Sequence, residues 1–143
     1  MLKEQLTKDI MQAIKEKDPI KKGVLQLVKA QIEKLSIQEG GRDLTTEEEV
    51  QTVQREVKQT KESLADAEKY GRPDLVETNK IKLKILSAYL PEQLNEAAVV
   101  EIATNAGVVS GMSMGEAMKL AMPLLKGKTE NALISKVVKD LIS

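Results

Sequence analysis

The chain of 143 residues contains no histidine, cysteine, phenylalanine or tryptophan, and two tyrosines are its only aromatics. Without histidine or cysteine there is no imidazole acid or base, no thiol nucleophile, no disulfide and no zinc site of the usual nitrogen and sulfur type. Catalysis would have to rest on carboxylates, lysine, serine, threonine or tyrosine. Two tyrosines are too few for a row of rings on which single-stranded bases stack. Charge of one sign is lacking as well: 22 Lys and Arg face 22 Asp and Glu. A general coat for nucleic acid needs a basic excess, so only a local patch remains open to that role. The first residues, Met1 to Leu6, alternate charge with apolar side chains and form no secretory h-region. Nor does any run approach the roughly 18 apolar residues of a membrane span. The expectation is a cytoplasmic protein with a core of Leu, Ile, Val, Ala and Met, and with no membrane role.

What is present is helical periodicity. Leu2, Leu6, Ile10, Ala13 and Ile14 recur at steps that place them on one stripe of a helix over 2–17. Asp18-Pro19 supplies an N-cap followed by proline at the first helical position, and Leu25, Val28, Ile32 and Leu35 carry that second helix to the break at Gly40-Gly41. Thr45 to Glu48 has capping-box spacing, with Glu47, Glu48 and Glu49 crowding a first turn where the helix dipole favours negative charge. A stabilised helix start explains that triplet more simply than a metal or catalytic site. Val50, Val53, Val57, Leu64 and Ala67 continue the series to Tyr70, with polar Thr60 inside it. A fourth helix follows from Pro73 to Leu90, and Pro91 ends it.

Beyond Pro91 the elements shorten. Asn95 caps a helix over 96–105, the glycines of 107–112 mark a flexible loop, and Ser113 opens a sixth helix that Pro123 bends or ends. A final helix starts at Thr129 or Asn131. The expected fold is all-α: about four long helices in an N-terminal domain, 1–92, then a small three-helix C-terminal domain, 93–143.

No motif of catalysis survives inspection. Lys126-Gly127-Lys128-Thr129 imitates the end of a P-loop, but Met122 stands where the loop needs its first glycine and no strand precedes it. Ser135 and Lys136 are adjacent and point apart on a helix, so they make no nucleophile and base pair. Met112, Met114, Met118 and Met122 read as gap-fillers in an aromatic-free core, or as an adaptable groove for a partner helix. The chain is therefore expected to have no enzymatic activity of its own, no cofactor and no metal. Its candidate contact residues are Lys119, Lys126, Gly127, Lys128 and Lys136. Two ammonium groups flanking a glycine ahead of a helix can converge with backbone N–H groups on a phosphate, or the segment is an ordinary solvated turn.

Several segments together resemble the GatB/YqeY family, in particular its free-standing YqeY-like members. They are Lys17-Asp18, Leu44 to Glu48, Glu56 to Ser63, Tyr70 to Leu75, Tyr89 to Leu94, and Met114 to Lys119 followed by Lys126-Gly127-Lys128. The related tail domain closes the B subunit of the amidotransferase that acts on Glu-tRNA(Gln) or Asp-tRNA(Asn). There the resemblance implies a helical appendage that grips the tRNA elbow, while catalysis belongs to other parts of the enzyme. Lys119, Gly127 and Lys128 match the tail pattern, although this chain carries about one extra helical turn between Gly115 and Gly127. The resemblance implies a tRNA-binding or amidotransferase-like accessory role, with tRNA or a tRNA-handling enzyme as partner. A label of carbon-nitrogen ligase with glutamine as amide donor would attach by family association only. The alternative function is a helical protein–protein interaction module without a nucleic-acid role.

Overall fold

A computed structural model describes residues 2–143, and the described residues form seven α-helices and no strand. They are α1 (Leu2–Lys15), α2 (Pro19–Gln38), α3 (Thr46–Lys69), α4 (Pro73–Ser87), α5 (Glu96–Asn105), α6 (Met114–Leu125) and α7 (Asn131–Ile142). The chain divides into two compact units, the first ending at Leu90 and the second spanning Pro91–Ser143.

The helix starts are set by their own sequence. Asp18 accepts from the Lys21 N–H at 3.1 Å ahead of Pro19. At Thr45 both halves of the capping box are made: Thr45 Oγ1 accepts from Glu48 N–H, and Glu48 Oε1 accepts from Thr45 N–H. Asn95 caps α5 through Ala98 N–H, and Ser113 caps α6 through Glu116 N–H. Each side chain satisfies a donor that the first turn would otherwise leave unpaired.

The helix ends depart more from the sequence pattern. Helix α1 stops at Lys15 rather than 17, because Lys17 takes φ 54° while Asp18 N–H reaches back to the Ala13 carbonyl and Lys17 N–H to that of Ile14. That is the Schellman arrangement, usually completed by glycine, as Gly71 with φ 65° does after α3. Helix α4 ends at Ser87, short of Leu90. The N–H groups of Ala88, Tyr89 and Leu90 bond three residues back, so the chain tightens into a narrower turn before Pro91. Pro123 does not end α6, which continues to Leu125; its missing N–H removes one bond from the last turn.

Each unit has its own apolar cluster. In the first, Leu6 and Ile10 of α1 meet Val24, Leu25, Val28 and Ile32 of α2, Val53 and Val57 of α3, and Leu86 of α4. In the second, Val99 and Ala103 of α5 pack with Ala117, Ala121 and Leu125 of α6 and Ile134, Val137 and Val138 of α7. Met112, Met118 and Met122 lie against this second cluster as partly buried filler, whereas Met114 is exposed. The loop over 107–112 is tied down rather than free: Val108 is buried in the cluster, and Gly111 N–H donates to the Ile142 carbonyl at 2.9 Å.

Candidate functional site

Three of the five residues singled out by sequence meet at the connection between α6 and α7. Leu125 to Lys128 form a type II β-turn: Lys126 has φ −59° and ψ 127°, Gly127 has φ 80°, and Lys128 N–H donates to the Leu125 carbonyl at 2.9 Å. The third position of such a turn needs positive φ, which is why glycine sits there. Gly127 is buried, and the two lysines either side of it are exposed.

The turn is clamped by the non-helical segment over 91–95 ahead of α5. Gln93 Nε2 donates to the Gly127 carbonyl at 3.2 Å, and Leu94 N–H donates to the Lys128 carbonyl at 2.7 Å. Thr129, only 3% exposed, donates its hydroxyl back to the Leu94 carbonyl at 3.2 Å. Carbonyls thus point inward to fixed donors while the two lysine side chains project outward. Gln93, Leu94 and the buried role of Thr129 were not visible in the sequence, since their partners lie more than 30 residues away.

Helix α7 starts at Asn131, one of the two expected positions. Thr129 does not cap it; Glu130 occupies the N-cap position, without a side-chain capping bond, and Asn131 is the first helical residue. The positive end of the helix dipole therefore has a carboxylate as its own neighbour. An anion at this turn would meet the ammonium groups of Lys126 and Lys128 more than the helix end.

Lys119 is exposed on α6, and Lys126 follows the end of that helix. Lys136 is placed differently. It lies on α7 and pairs with Glu96 of α5 at 3.6 Å, an exposed ion pair of small energetic worth. From Pro91 onward there are five lysines and six acidic residues, so the lysines about Gly127 create a local field and no broad basic surface.

A family model described as Yqey-like protein matches residues 3–142. The chain belongs to the YqeY-like family. No curated protein matches it. The match runs across both units of this YqeY-like chain, so the Gly127 turn and the α1–α4 unit belong to one family pattern.

Other ionisable groups in the YqeY-like chain serve structure. Glu48 accepts from Arg42 at 2.8 and 3.0 Å, and this bond, with the Thr45 N–H, holds its carboxyl down at about 2. Tyr89 donates to Asp9, joining the segment after α4 to α1, and burial together with that carboxylate raises the phenol above its ordinary value. Among the described residues no three acidic side chains are grouped so as to hold a metal ion.

Proposed function

We propose that this YqeY-like protein is a non-catalytic tRNA-binding or tRNA-amidotransferase-like accessory protein, with residues 93–143 acting as a three-helix tail-like domain behind an N-terminal helical domain, 1–92. The observation that carries the reading is the clamped turn with Lys126 and Lys128 outward. Its backbone is fixed before any ligand arrives, so binding a phosphate orders little more than the two lysine side chains. Lys119, exposed on the helix that leads into the turn, adds a third ammonium. Lys136 lies on α7, outside the turn, and contributes less. Carbon-nitrogen ligase chemistry with glutamine as amide donor would belong to an associated enzyme, and this chain would contribute no catalytic group.

Titration with bulk tRNA tests the reading. If two phosphate contacts carry the binding, affinity falls about tenfold between 50 and 200 mM salt, and replacing both Lys126 and Lys128 by Glu removes it. No association at low salt would overturn the reading. A second reading, docking of a partner helix, draws on Leu120 and Leu124, which stand 39% and 46% exposed one turn apart on α6. A partner retained from nuclease-treated lysate and lost on Leu124→Glu would favour it.

A further inference from the structure

The first unit contains an unassigned cleft of about 590 Å³ between α2, α3 and α4. Its size falls in the range of small-molecule sites. One wall is apolar and comes from α2, where Ile20, Val24 and Val28 face it and Gly23 leaves space that a side chain would occupy. The opposite wall is polar. On α3, Glu56, Gln59, Thr60 and Ser63 follow helical spacing and line the cleft together, and Asn79 joins them from α4.

Two of these groups are out of keeping with a simple core. Glu56 is 8% and Asn79 9% exposed, so both are more than nine-tenths buried. Among the described residues no hydrogen bond or ion pair reaches the Glu56 carboxylate or the Asn79 carboxamide. Yet no fully enclosed side-chain nitrogen or oxygen lacks a partner. Their polar atoms must therefore reach the open space of the cleft that both residues line. Buried polar groups are normally bonded, and leaving one unmade is costly. Burial also pushes the Glu56 carboxyl upward, and the charge of neighbouring Arg55 only partly opposes it.

The buried part of the floor is rich in acceptors, since Gln59 and Ser63 are exposed and Lys82 is half-buried. Thr60 has already donated its proton to the Glu56 backbone carbonyl at 2.8 Å, which leaves its oxygen as an acceptor beside the carboxylate and the Asn79 carbonyl. We propose that the cleft binds a small aliphatic ammonium compound, with its N–H donors on Glu56 and Asn79 and its hydrocarbon against Ile20, Val24 and Val28. The ammonium supplies three donors and the compensating charge, in the strong class of hydrogen bond. Half-buried Lys82 on the lining adds a selectivity rule: it disfavours a second positive charge on the ligand. This site is independent of the tRNA reading, since it uses no residue of the Gly127 turn.

The test is an amide NMR titration of the full chain with n-pentylammonium chloride, using pentan-1-ol, sodium pentanoate and 1,5-diaminopentane as controls. Pentylammonium is expected to give saturable shifts along α2, α3 and α4, and the three controls to bind more weakly. Glu56→Gln is expected to weaken binding about tenfold, the loss of one charge-assisted contact. Gly23→Leu, whose Cβ would meet nothing within 4 Å, puts a side chain into the cleft and should abolish binding while keeping the melting temperature. Absence of saturable shifts, equal binding of any control, or full affinity in either variant would overturn the proposal.

Discussion

The two units differ in how they treat part of their buried polar residues. In the second, Thr129 is the buried polar residue among those described, and its hydroxyl is bonded to Leu94 in the clamp under the Gly127 turn. In the first, Glu49, Thr52, Glu56, Thr60 and Asn79 are all buried; Thr52 and Thr60 donate to backbone carbonyls, while Glu56 and Asn79 line the cleft. One unit uses burial of a polar group to fix a backbone that presents charge outward. The other keeps polar groups turned inward toward open space, which costs stability and provides recognition chemistry in return.

The largest expected effect breaks the second core. Ile134 is fully buried, and Ile134→Ala should cost about 2–5 kcal/mol. Because the apolar clusters are separate, hydrogen exchange should show the loss of protection first in α5, α6 and α7. Next in size is Thr129→Val, which keeps the shape and leaves the Leu94 carbonyl without its donor, at about 1–3 kcal/mol by denaturant unfolding. Gly127→Ala forces a side chain onto φ 80° and should cost about 1 kcal/mol by the same measurement.

The smallest effect has the opposite sign and sharpens the comparison. Because the carboxyl of Glu56 titrates higher in the folded chain than in the unfolded one, the native state holds its proton more tightly. Stability from this group is therefore greatest below the unfolded value of about 4.3 and is lost as pH rises through the folded value. Glu56→Gln should thus raise the thermal midpoint at pH 7, and the gain should vanish near pH 4. An unchanged or lowered midpoint at pH 7 would mean that Glu56 is not left uncompensated.

The helix starts were legible because their signals are local. Thr45 with Glu48, Asp18 with Pro19, Asn95 and Ser113 each act within three residues, and each caps as its spacing implied. Helix ends were less so: nothing nearby announces that Lys17 will take a left-handed conformation, and Tyr89 and Leu90 look helical until Pro91 is weighed against them. The turn at Gly127 was readable from its glycine and lysines. Its clamp was not, because Gln93 and Leu94 come to it from the far end of two intervening helices. The cleft had a partial signal in Thr60, a polar residue inside the apolar series of α3, with Glu56, Gln59 and Ser63 at helical spacing about it. Only packing against α4 adds Asn79 and turns these residues into a floor.

Under the proposed function the outward turn meets phosphate and the inward cleft does not. Amide NMR of the full chain titrated with bulk tRNA at low salt tests it most directly. Shifts centred on Leu125 to Thr129 and extending to Lys119 are predicted, reversed by added salt and absent when Lys126 and Lys128 are both Glu. Shifts centred instead on α2, α3 and α4, or no shifts at all, would contradict it.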